Sequence, residues 1–147
     1  MTTKIYTLKI SSLEKGYHDK DQVLLHAAFQ LLVDFVEKEE PDQTIDWNAE
    51  ERHKHAWSEI SYLYDWWKVK RPARHDPIED LSNDEVPPIE FEPTDNPNLV
   101  KMKDTDKVKY AKYYKALEES WKLEKEWNDE DQDNLHRLID IRFFMWT

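Results

Sequence analysis

Residues 19–41, DKDQVLLHAAFQLLVDFVEKEEP, decide the fold. Leu24, Ala28, Leu31 and Phe35 recur at the 3.6-residue period, with Leu25, Leu32 and Val36 beside them. That spacing predicts an amphipathic helix with a wide apolar face and with His26, Gln30, Val33 and Glu37 on the opposite stripe. Asp19 or Asp21 supplies an N-cap, and the helix has to stop before Pro41.

Moving outward, residues 41–47 form a short connection to a second predicted helix. It starts near Asn48, with Glu51 three residues on in the capping-box position. It ends at about Lys70, because Arg71 precedes Pro72 and is pushed out of the helical region. Trp57, Ile60, Tyr64 and Trp67 line one face, and Tyr62 and Trp66 form a flanking stripe. So short a connection favours antiparallel packing of the two helices. A third helix is predicted from Thr105 or Asp106 to about Trp127, with Ala111, Tyr114, Leu117, Trp121 and Glu124 on one face. A fourth would run from about Glu130 to Met145. No glycine or proline separates these two, so one continuous helix is the alternative. Lys4–Ile10 has strand character, with Ile89–Phe91 or Leu99–Met102 as its partner. The predicted fold is mainly α: a three- or four-helix compact domain with an antiparallel helical hairpin, a minor two-stranded β ribbon and a long acidic Pro-rich loop. The 147 residues fit a single domain spanning 1–147.

Composition narrows the chemistry. Seven Trp, seven Tyr and five Phe supply large core side chains. The chain has no cysteine, which excludes disulfides, Cys-ligated zinc, iron–sulfur clusters and thiol nucleophiles. Its one glycine, Gly16, closes the commonest glycine-rich phosphate-binding loops, dinucleotide folds and the serine nucleophile elbow. No cofactor is expected. The first twenty residues are polar and mixed, and residues 23–36 are too short and too polar a run to cross a membrane. These features fit a cytoplasmic protein that does not engage membranes.

The net charge of −11 is unevenly placed. Residues 76–96 hold eight acids, Asp76, Glu79, Asp80, Asp84, Glu85, Glu90, Glu92 and Asp95, and neither Lys nor Arg. Pro77, Pro87, Pro88 and Pro93, with Pro97 just beyond, mark an extended linker or surface loop over about residues 76–104. Lys68, Lys70, Arg71 and Arg74 precede it, and Lys101, Lys103, Lys107, Lys109, Lys112 and Lys115 follow it. The acids can fold back on these bases or dock on a basic partner. Direct nucleic-acid binding is not expected, because the overall field repels phosphates.

Three groupings carry candidate chemistry. Glu50-x-x-His53 and Asp133-x-x-His136 have the acid-x-x-His spacing of di-metal helical bundles, with Glu37 and Glu124 or Glu126 as completing carboxylates. In a chain so rich in acids this spacing arises by chance, and no metal is expected. Trp66, Trp67, Lys70, Arg71 and Arg74 form an aromatic–basic run. Adjacent tryptophans lie about 100° apart on a helix, so both cannot face the same core centre, and one reading leaves one of them partly exposed beside the cations as a binding site. The alternative packs both under the Pro-rich loop, with the arginines paired to its acids. Phe143-Phe-Met-Trp146 at the C-terminus predicts docking in cis or self-association through these apolar residues.

The words LLHAAFQLLVDFVEKEEP (24–41), IDW (45–47), EISYLYDWWKVKRPAR (59–74) and HDP (75–77) resemble a group of short uncharacterised proteins encoded by tailed bacteriophages. The shared pattern is LLHAxFxLLVDFVExE…IDW…LYxWW…RPxR, within residues Leu24 to Pro77. The resemblance implies a phage origin and expression in the host bacterial cytoplasm, and it assigns no activity and no functional residue. The functional expectation is a small acidic accessory factor that binds a host or phage protein without catalysis. A helical-bundle di-metal protein or enzyme and a virion or assembly component are the alternatives.

Overall fold

The computed structural model describes residues 7–146. The 3.6-residue pattern at 19–41 produces helix α1, Lys20–Lys38, with Asp19 at the N-cap position in extended conformation. Glu40 adopts the left-handed conformation (φ 47°) and turns the chain into the short helix α2, Pro41–Thr44. Helix α3, Glu51–Asp65, follows. The predicted capping box at Asn48 and Glu51 does not form, because the Asn48 amide donates instead to the Asp46 carboxylate at 3.0 Å and Glu50 takes the cap position.

The last turn of this helix widens into a π-turn, Trp66–Lys70, closed by the Arg71 amide donating to the Trp66 carbonyl at 2.7 Å. Pro72 explains the widening. In α geometry its ring would strike the carbonyl of Lys68, and a π-turn relieves that clash. Contrary to the sequence expectation, Arg71 keeps helical dihedrals (φ −61°, ψ −48°).

Mainly α architecture with a minor β ribbon is the result. Strands β1, Phe91–Pro93, and β2, Val100–Met102, pair antiparallel, with Phe91 opposite Met102, Glu92 opposite Lys101 and Pro93 opposite Val100. The predicted partner strand is only partly described: residues 1–6 lie outside the described residues, and 7–10 are irregular. The two segments proposed as its partners pair with each other instead. The third and fourth predicted helices are one continuous helix, α4, Ala111–Asp140. The stretch 128–134 propagates an existing helix at little cost, whereas a new helix would need nucleation.

The chain divides into two units: residues up to Arg74 together with those from Asp129 onward, and His75–Asn128. In the first unit the core joins Leu25, Phe29, Leu32, Val33 and Phe35 of α1 with Ala56, Ile60 and Leu63 of α3, Trp66, Trp67, Leu138 and Ile141. Trp47 closes it from the connection, stacked on Trp57 at 5.1 Å and donating its indole N–H to the Pro41 carbonyl at 2.9 Å.

The buried face of α1 is only in part the predicted one: Leu25, Leu32 and Phe35 are buried as the spacing predicts. Leu24 and Leu31 are exposed, while His26, Gln30 and Val33 of the supposedly polar stripe are buried. Residues 11 and 12 make this affordable. The Ser11 amide and hydroxyl donate to Gln30 Oε1 at 3.0 and 2.9 Å, and the Ser12 hydroxyl meets His26 Nδ1 at 2.7 Å. A polar group that finds its partner can be buried without the full desolvation penalty.

The second unit has a different character. Its only buried residues are Ala116 and Ser120 of α4. The acidic, proline-rich stretch is held by polar contacts. Asp76 accepts from the Ile78 amide at 3.0 Å and the Ser120 hydroxyl at 2.9 Å. Glu85 pairs with Lys112 at 2.8 Å within a capping box begun by Ser82.

Candidate functional site

The five residues singled out from the sequence are brought close together, but they face inward. Trp66 and Trp67 are both buried, as the packed alternative has it, and neither offers an exposed indole for a binding site. The π-turn changes the angular step between them, and the Phe29 ring is wide enough to meet both. Trp67 stacks on Phe29 at 4.6 Å and 10°, and Trp66 tilts against it at 5.3 Å.

The arginines do pair with acids, though with those of α4 and not those of the Pro-rich stretch. Arg71 is bidentate to Asp131, with both contacts at 3.0 Å. Arg74 donates to Asp131 at 2.8 Å and to Glu130 at 2.9 Å, and the Trp66 indole N–H donates to Glu130 at 2.6 Å. The guanidiniums also lie over the indoles, Arg71 on Trp67 at 4.9 Å and Arg74 on Trp66 at 5.7 Å. Burial alone would push the Asp131 carboxyl up; the hydrogen bonds from Arg71 and Arg74 outweigh it and hold the group below the ordinary carboxylate range. Glu130 is held low in the same way by Trp66 and Arg74 against burial. Lys70 is exposed, 3.6 Å from Asp65 and 5.4 Å from the Tyr62 ring. The cluster is a satisfied ionic and aromatic clamp, and its guanidiniums already have carboxylate partners.

The metal-ligand spacings do not converge. Among the described residues no group of three or more His, Asp or Glu could hold an ion. His53 lies 3.9 Å from Glu50 and against the Phe144 ring, and His136 meets Gln132 at 3.3 Å. Glu37 faces Lys68 at 3.7 Å. At the C-terminus Phe144 and Met145 pack on the core, while Phe143 and Trp146 are exposed.

A second candidate lies in the His75–Asn128 unit, on residues that the sequence reading treats only as strand segments. Alternation along β1 and β2 puts Phe91, Pro93, Val100 and Met102 on one face of the ribbon and Glu92 and Lys101 on the other. Among the described residues that apolar face has no cover: Phe91 is 63% exposed, Val100 67% and Met102 61%. Ile89 and Leu99 beside it are exposed as well. At the base of the ribbon a half-open groove of about 620 Å³ is walled by Ile89, Met102, Tyr113, Tyr114 and Leu117, with Lys103 and Lys107 at its rim. Tyr114 is fixed by a hydrogen bond between its hydroxyl and that of Thr105 and by the edge of Tyr113 at 5.3 Å. The signal was present in the sequence: two short alternating segments separated by the turn residues of TDNPN, 94–98, form a hairpin pattern.

Among the described residues no helix is long and apolar enough to cross a membrane. Compared with protein-family models, curated proteins and solved structures, the chain finds no match.

Proposed function

We propose that the chain is a non-catalytic, phage-encoded accessory factor that binds a protein partner in the host cytoplasm, with the His75–Asn128 unit as its binding surface. One observation carries this reading. A unit that buries only Ala116 and Ser120 leaves Ile89, Phe91, Leu99, Val100, Met102, Val108 and Trp121 exposed. So many large apolar side chains left open on one small unit fit a surface that another protein covers. Catalysis finds less support, since the charged groups brought together at Arg71, Arg74, Glu130 and Asp131 neutralise one another.

The test is capture from infected cells with the tagged chain beside a Phe91→Asp/Val100→Asp variant. A partner retained by the parent and lost by the variant, at unchanged helical circular dichroism, is the expected result. Recovery of the same proteins by both, or of the tagged chain alone, would overturn the reading.

A further inference from the structure

The ribbon has two edges, and the sequence closes only one of them. The Lys103 amide donates to the Glu90 carbonyl at 2.7 Å, which makes residues 90 and 103 a hydrogen-bonded pair. Bonded and non-bonded pairs alternate along an antiparallel ladder. Glu92 and Lys101 are therefore bonded to each other, and the pairs 91/102 and 93/100 turn their backbone groups outward. On the β1 edge one outward position is Pro93, which has no N–H, and prolines at 87, 88 and 97 flank the strand and the turn. Proline at an edge is a standard means of preventing strand addition. Among the described residues the β2 edge carries no such block: Val100 and Met102 each turn an N–H and a C=O outward, and no third described strand pairs there.

We infer that the β2 edge accepts an extended strand of the partner whose residues alternate between apolar and acidic. That a partner exists rests on the protein-binding reading above; the strand chemistry rests on the ribbon. A strand laid beside β2 would place alternate side chains next to Val100 and Met102, over the groove walled by Tyr113, Tyr114 and Leu117. Its other side chains would meet Lys101 and Lys103. Among the described residues Lys101 forms no ion pair, and Lys103 reaches Glu90 only at 3.4 Å. The chain itself supplies the pattern. On the inner side of β2 lies Ile89-Glu90-Phe91-Glu92, an apolar–acidic alternation, with Glu92 opposite Lys101. A second copy pairing β2 to β2 about Lys101 would set lysine against lysine, and like charges directly opposite are destabilising. Main-chain bonds supply affinity in this mode, and alternate side chains supply the choice of partner.

The probe is a short synthetic peptide alternating valine and glutamate, titrated into the ¹⁵N-labelled full chain. Binding should slow hydrogen exchange at the Val100 and Met102 amides and leave the Lys103 amide, already bonded, unchanged. A peptide alternating valine and lysine should bind about tenfold more weakly or worse. Met102→Pro removes an outward donor without touching the ladder to β1 and should abolish protection at Val100. Lys101→Glu should reverse the preference between the two peptides, which keeps the test informative if the proline variant distorts the ribbon. Binding without protection at Val100 and Met102, equal affinity for both peptides, or concentration-dependent self-association with no peptide binding would each overturn the inference. If the Phe91→Asp/Val100→Asp variant loses its cellular partner while Met102→Pro keeps it, the docking face stands and strand addition is refuted.

Discussion

Asp131 receives two guanidiniums and lies in the interior, so its charge is both stabilised and required. Asp131→Asn leaves Arg71 and Arg74 short of a carboxylate and should cost about 3 kcal/mol in urea unfolding. The pH dependence follows from its depressed pKa. The unfolded carboxyl takes a proton near its ordinary value of 3.8, and the folded one resists. The contribution is thus complete at higher pH, shrinks as the pH falls past that value, and is gone below the folded pKa. The Asn variant should lose that part of the acid transition. His26 has the same sign. Burial first, then Arg71, pushes its pKa below 6.5, so the unfolded state binds the proton more readily. Stability should fall from 6.5 downward, and His26→Gln should flatten that limb in thermal melts at successive pH values. Glu40 offers the opposite case. Its φ of 47° is unfavourable for a side chain bearing Cβ. Glu40→Gly should stabilise the chain by about 0.5–1 kcal/mol in the same assay.

At the scale of elements, the helices were legible because their apolar spacing repeats over many residues, and 20–38 and 51–70 fall where that spacing puts them. Which face turns inward was less legible. His26 and Gln30 read as solvent-facing, and nothing local reveals that Ser11 and Ser12 come back to satisfy them. The aromatic–basic cluster is legible as a group, but nearness in sequence points to the Pro-rich stretch for its acids. The true partners, Glu130 and Asp131, lie about sixty residues away in sequence, and only the tertiary fold brings them there. For the ribbon the two strand segments are legible, but that they pair with each other is not. The π-turn before Pro72 has a measurable consequence of its own. Trp66→Phe keeps the ring on Phe29 but removes the N–H that Glu130 accepts, and should cost about 1–2 kcal/mol by denaturant titration.

For the molecule as a whole, apolar burial is concentrated in one of the two units. The hydrophobic core cluster belongs entirely to residues up to Arg74 and from Asp129 onward. A segment held by surface ion pairs and caps opens at low free energy, since such pairs contribute little each. Limited proteolysis should therefore cut first within residues 77–110 and leave 20–71 intact. Raising the salt concentration should accelerate those cuts by screening pairs such as Glu85–Lys112 and Glu90–Lys103. Equal cleavage rates in both regions would contradict this division.

Pro93 has a consequence for growth. Joining the β1 side of one molecule to the β2 side of the next is a head-to-tail contact, and head-to-tail contacts that do not close into rings build filaments. The missing amide at Pro93 denies that contact one of its bonds and so weakens growth along this route. Pro93→Val should make light scattering climb with concentration and time faster than in the parent chain.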